Sequence, residues 1–172
     1  MKKFILLLIL FFGSILNVYA ETSRIISGNK NAKITIIAYE SLTCSHCASF
    51  HMDVYPQLKK DYIDTGLAKI EFRHFPLDLA AFNASKIAQC KNEQSLEILE
   101  SLYSDQQSWV KGNTVEEINN NLQKFIENKG FKVDFQKCIN NKKIEDFVLN
   151  DRIEGAKKFK INATPTIIIN NK

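Results

Sequence analysis

Cys44 and Cys47 are the residues whose type and spacing most directly imply chemistry, since they enclose Ser45 and His46 in a C-x-x-C motif. Two thiols one helical turn apart can close a disulfide, exchange it with another dithiol, or share a metal ion. The context selects among these. The motif follows a β-branched run, Ile34-Thr-Ile-Ile-Ala-Tyr39, and opens an amphipathic stretch in which Phe50, Val54, Leu58 and Tyr62 recur every four residues. A thiolate at the start of a helix lies against unpaired backbone N–H groups and the positive end of the macrodipole, and both favour its charged form. Each pKa unit of depression stabilises the reduced state by about 1.4 kcal/mol and raises the potential of the pair by about 30 mV. Cys44 is therefore the expected nucleophile, Cys47 the shielded resolving partner one turn inside, and His46 a further donor or positive charge beside the sulfur.

Other uses of the motif fit less well. A purely structural C-x-x-C disulfide is short and strained. Zinc wants two more ligands at suitable spacing; His51 is near, but the sequence holds no second C-x-x-C and no H-x-x-x-H. Haem attachment needs a histidine after the second cysteine, where Ala48 stands. His51 reads as a surface or kink-packing residue and His74, beside Arg73, as a strand-edge residue.

The elements that must hold the motif form a simple plan. Pro56 is expected to kink the first helix, Gly66 closes a connection, and Lys69-Ile-Glu-Phe-Arg-His-Phe75 alternates as a second strand stopped at Pro76. Strand, helix, strand is a βαβ unit, so the sheet begins parallel. From about 77 to 150 the patterns are helical. Leu99, Leu102 and Tyr103 mark one helix, and Ile144, Phe147 and Val148 another. Thr114-Val-Glu-Glu117 has the form of a capping box, followed by an apolar stripe of Ile118, Leu122, Phe125 and Ile126 that ends at Gly130. Thr166 to Ile169 returns to a β-run after Thr164-Pro165.

The N-terminus has a signal-peptide layout: Lys2 and Lys3, an apolar run from Phe4 to Phe12, then a weakening toward Val18-Tyr19-Ala20. Residues 1–20 are expected to be cleaved, leaving 21–172 as one domain; an uncleaved anchor is the alternative. Without Lys2 and Lys3, 21 basic residues face 19 acidic ones. That small, dispersed excess does not point to nucleic acid. Export also bears on the four cysteines, because disulfides persist outside the cytosol. The local pair leaves Cys90 and Cys138 to each other as a structural disulfide, the alternative being two buried free thiols.

With these motifs in view, Tyr39-Glu-Ser-Leu-Thr-Cys-Ser-His-Cys-Ala-Ser-Phe-His51 resembles the active-site segment of DsbA-like proteins, thiol:disulfide oxidoreductases of the thioredoxin superfamily. Arg73-His-Phe-Pro-Leu77, Ala88-Gln-Cys90, Phe135-Gln-Lys-Cys138 and Asn162-Ala-Thr-Pro-Thr166 continue the likeness. The resemblance implies an α/β, thioredoxin-like fold with a helical insertion at about 77–150, between the βαβ half and a strand led by a cis-proline. It further implies that Thr164 and Pro165 bind substrate beside the sulfurs, and that a membrane redox partner reoxidises the pair. The substrates would be cysteine-containing exported proteins and the compartment the periplasm. No metal or organic cofactor is required. Two departures stand out. Ser45 replaces the proline of the best-known oxidases, and the family's further strand and helix are not found before Lys172. A reductase or isomerase using the same residues, and an envelope binding module that keeps the fold without catalysis, are the rival readings.

Overall fold

The computed structural model describes residues 22–172. The expected signal peptide, 1–20, lies outside the described residues. The core is a four-stranded sheet in the order β1-β3-β2-β4, made of β1 (Ile25–Gly28), β2 (Ile34–Glu40), β3 (Ala68–His74) and β4 (Thr166–Ile169). β2 and β3 run parallel, with Ile36 opposite Ile70 and Glu40 opposite His74. β1 joins β3, and β4 joins β2, in antiparallel pairs. β1 has no clear signature in the sequence, because its four residues begin inside a polar stretch and gain their order from pairing with β3.

Alternation along β2 feeds two cores. Ile36 and Ala38 face the larger one, with Ile70, Phe72, Cys47 and the helical residues Ile87, Leu102, Trp109 and Leu122. Ile37 and Tyr39 face a smaller one with Phe75, Ile161 and Ile168. Burying each large apolar side chain stabilises by about 1.5–3 kcal/mol, and Trp109 can be fully dry because its indole N–H donates to Leu102 O at 2.9 Å.

Residues 45–63 form one helical stretch with two changes of pitch. α1 (Ser45–Ser49) and α2 (Tyr55–Leu58) are separated by a π turn, Phe50–Val54, and a second π turn, Lys59–Ile63, comes after α2. Tyr55 N–H accordingly donates to Phe50 O, five residues back. The first π turn comes just before Pro56, which lacks a donor of its own. Each π turn absorbs one extra residue and rotates the downstream helix about its axis, so a uniform four-residue spacing misplaces the inner face. Val54 and Tyr62, expected inside, are about half exposed at 52% and 49%, and His51, Tyr55 and Ile63 are buried instead.

The helical insertion comprises α3 (Leu79–Gln89), α4 (Ser95–Ser104), α5 (Gln106–Trp109), α6 (Val115–Asn128), α7 (Phe135–Ile139) and α8 (Lys142–Lys158). α8 runs past the expected limit at Asn150. It packs on the sheet through Gly155, where a Cβ would stand 2.8 Å from the Tyr39 ring. Thr114 caps α6 by accepting from Glu117 N–H at 3.2 Å, and the Glu117 carboxylate reaches back to Asn113 N–H at 2.7 Å. A disulfide joins Cys90, at the C-cap of α3, to Cys138 of α7, with Cα atoms 5.6 Å apart.

Candidate active site

At the C-terminal end of β2 the chain turns through Ser41 to Thr43, and Cys44 N–H donates to Ser41 O at 3.0 Å. Cys44 is the N-cap of α1, with extended backbone angles, and its carbonyl accepts from the N–H groups of Cys47 and Ala48 at 3.1 and 3.2 Å. This places the Cys44 sulfur at the open end of the helix and Cys47 one turn inside. Cys44 is partly exposed, and Cys47 is wholly buried.

The cis peptide bond between Thr164 and Pro165 turns the chain so that Thr164 O accepts from Cys44 Sγ at 3.4 Å, across 120 residues. Pro165 then leads into β4. Burial pushes the Cys44 thiol up, but hydrogen bonds from Thr164, the Cys47 backbone N–H, the Cys47 thiol and the His46 backbone N–H outweigh it. The pKa falls below the ordinary thiol value. At Cys47 burial wins: its pKa is driven far up, the Ser41 backbone N–H offsets part of that rise, and the charge of Glu40 adds to it. The two sulfurs thus differ in the sense that directional thiol–disulfide exchange needs. His46 is exposed, and it is its backbone N–H that favours the Cys44 thiolate.

Three further residues, none of them among the expected site residues, hold this loop. Gln106 of α5 donates through Nε2 to Leu42 O at 2.8 Å and Cys44 O at 3.1 Å. Asp78 accepts from Thr43 Oγ1 at 2.6 Å and caps α3 by accepting from Ala81 N–H at 2.7 Å. Glu40 closes β2 and pairs with His51, Oε2 to Nε2 at 2.9 Å. An N-cap signal exists for Asp78, since an aspartate precedes Leu-Ala-Ala. Nothing local marks Gln106 or Glu40.

His51, expected at the surface or packed at the kink, is buried in the irregular turn before Pro56, and His74, expected at a strand edge, is buried too. His51 packs among Phe50, Tyr55, Phe72 and Tyr103. His74 points inward from β3 to Gln89, Nε2 to Oε1 at 3.1 Å, and burial lowers its pKa to about 4. Among the described residues no group of three or more His, Cys, Asp or Glu could hold a metal ion.

A helix-capping cysteine, a sealed partner one turn on and a cis-proline loop against both define a thioredoxin-fold dithiol protein. The chain belongs to the thioredoxin family, whose model matches residues 20–172, and its likenesses within that family are to DsbA-type proteins. The crystal structure of alpha-DsbA1 from Wolbachia pipientis is 36% identical with a TM-score of 0.77, over 86% of this chain and 74% of that one. A Rickettsia bellii protein provisionally named a protein-disulfide oxidoreductase is 28% identical over 152 residues, which are 87% of this chain and 58% of that protein. Disulfide bond formation protein D of Bacillus subtilis is 26% identical over 155 residues, 84% of this chain and 67% of that one. The chain therefore spans little more than half the length of the Rickettsia relatives.

Proposed function

We propose that this chain is an exported thiol:disulfide oxidoreductase that transfers the disulfide of Cys44 and Cys47 to cysteine-containing exported proteins. The observation that carries the reading is the inequality of the two sulfurs: Cys44 partly exposed with a lowered pKa, Cys47 sealed with a raised one. A substrate thiolate attacks Cys44 Sγ, the S–S bond breaks, and its electron pair goes to Cys47 Sγ, which takes up a proton. A second substrate thiolate then attacks the substrate sulfur of the mixed disulfide and releases Cys44 as a stabilised thiolate. The substrate dithiol has lost two electrons and the protein pair has gained them. Thr164 and Pro165 offer a backbone edge on which an extended substrate segment can lie.

In this reading residues 1–20 direct export to the periplasm, a membrane redox partner withdraws the two electrons, and the Cys90–Cys138 bridge is structural. The names carried by the Rickettsia bellii and Bacillus subtilis relatives support a role in disulfide transfer. The test is a pair of activity assays on the exported chain, oxidative refolding of a reduced protein and reduction of insulin, with equilibration in glutathione buffers to give the potential. Catalysed refolding and a potential well above the roughly −270 mV of a thioredoxin are expected. Insulin reduction with a potential near that of thioredoxin would make it a reductase, and inactivity in both assays would leave a binding module.

A further inference from the structure

One side chain of the helical insertion reaches the backbone of the redox motif itself. Gln106 is 4% exposed, although it sits in a polar segment whose next two residues, Gln107 and Ser108, stand in solvent. Trp109, three residues on, shares its inward face and anchors α5 in the larger core. A glutamine fixed in such a place loses rotamer freedom and hydration, so its hydrogen bonds have to offset both. Its amide nitrogen carries two N–H donors. They meet Leu42 O at 2.8 Å and Cys44 O at 3.1 Å. Two carbonyl acceptors also settle which way the amide points, since its oxygen in that place would face two other oxygens.

Cys44 O is the pivot of the site. It already accepts from the N–H groups of Cys47 and Ala48 at 3.1 and 3.2 Å, and Gln106 reaches it from outside α1. Holding this oxygen holds the ψ angle of Cys44, which is 118°. That torsion sets where the following peptides, with the N–H groups of His46 and Cys47, stand relative to the Cys44 sulfur that they hydrogen-bond. In the oxidised protein the S–S bond ties Cys44 to Cys47 covalently, so the torsion has little freedom with or without Gln106. Reduction removes that restraint. The clamp on the carbonyl then keeps the sulfur against its donors and against Thr164 O, 3.4 Å away.

We infer that Gln106 is a positioning residue for the redox pair: by holding Leu42 O and Cys44 O it favours the dithiol over the disulfide and makes the pair more oxidising, a role that rests on the oxidoreductase reading. It acts through the Cys44 carbonyl. The insertion, through α5, thereby tunes a dithiol that belongs to the sheet half of the molecule.

The test is equilibration of the full exported chain with glutathione buffers, with thiolate absorbance of the reduced protein against pH as a second readout. Gln106→Met keeps the length of the side chain and removes its donors. The equilibrium constant for its reduction by glutathione should fall about three- to tenfold, the size of one ordinary hydrogen bond, which is about 15–30 mV. The midpoint of Cys44 thiolate formation should rise with it. Gln106→Glu sets an acceptor against both carbonyls and should lower the constant further, whereas Gln107→Met, at an exposed position of the same helix, should change neither readout. A Gln106→Met protein that melts lower but keeps the wild-type potential and thiolate midpoint overturns the inference, because loss of a merely structural glutamine does that and no more. If neither Gln106 variant folds, the wild type decides: the side-chain N–H groups of Gln106, followed by NMR, should exchange with solvent more slowly in the reduced form than in the oxidised one, and equal exchange in both overturns the clamp. A wild type that equilibrates with glutathione but does not oxidise a reduced protein would instead overturn the oxidoreductase reading.

Discussion

Cys44 and Cys47 stand two residues apart in between, at the start of α1, whereas Cys90 and Cys138 are separated by 48 positions and tie the C-cap of α3 to α7. At the first pair the helix end and the Thr164 loop favour a thiolate on one sulfur, and burial opposes it on the other. The second pair has no such division of labour. Cys138 is 2% exposed, and the same two helices are also held by Lys86, whose Nζ donates to Ile139 O at 2.6 Å. The lesson is that residue type alone does not make a cysteine reactive. A helix N-terminus makes a leaving group, and a long enclosed loop makes a staple.

The sharpest way to break this comparison is to remove each pair in turn. Cys44→Ser should bring disulfide transfer down to the uncatalysed rate, and in Cys47→Ser the Cys44 thiolate should attack a disulfide of an oxidised substrate, displace one substrate thiolate and accumulate as a mixed disulfide, seen as mass adducts that a reductant releases. The double variant Cys90→Ser/Cys138→Ser should still transfer disulfides once folded. If the folded double variant loses transfer, the second pair takes part in the chemistry and the contrast fails.

The second pair should show itself in stability instead. Closing a loop of 48 residues restricts the unfolded chain by about 4 kcal/mol in the chain-entropy model. Cys90→Ser/Cys138→Ser should therefore melt roughly 8–16 °C lower than the wild type, by calorimetry of the oxidised proteins. A shift under about 2 °C would mean that Lys86 and the packing of α3 on α7 already hold the region.

How much of this is legible in the sequence depends on how local each signal is. C-x-x-C after a β-branched run, the Thr114 cap and the apolar run of β4 depend on neighbours within a few positions. β1 does not, for Ile25–Gly28 becomes a strand only against β3. The phase of the first helical stretch is lost because periodicity assumes 3.6 residues per turn throughout, and two π turns break that assumption. His51 looks peripheral in the sequence for the same reason. Glu40 looks like the polar end of a strand, since its partner lies 11 residues on, in another element. Gln106 sits in Asp105-Gln-Gln-Ser108, a segment as polar as any surface turn, and reaches Cys44 O across 62 positions. Side-chain contacts of that range leave no mark in a single sequence.

The smallest expected effect is a pH dependence that only the first pair can produce. Once reduced, Cys44 has a lower pKa folded than its ordinary value of 9.0. Its stabilisation of the reduced protein is thus fully present above the unfolded value, and is lost as pH falls through the folded one. Cys47 works in the opposite sense. Its raised folded pKa means that the unfolded chain ionises first, so stability falls as pH rises above about 9. The stability of the reduced protein relative to the oxidised one should rise with pH up to about 9, by no more than about 1.4 kcal/mol per unit, and fall beyond it. Urea unfolding of both redox forms across that range measures this, with the Cys90–Cys138 bridge intact in each. Cys44→Ser cannot close this disulfide and is therefore compared with Cys44→Ser/Cys47→Ser: the rise below pH 9 should be absent from that difference, whereas the fall above it, which belongs to Cys47, should remain. A rise that survives in Cys44→Ser would place the titrating group elsewhere and remove the electrostatic distinction between the two pairs.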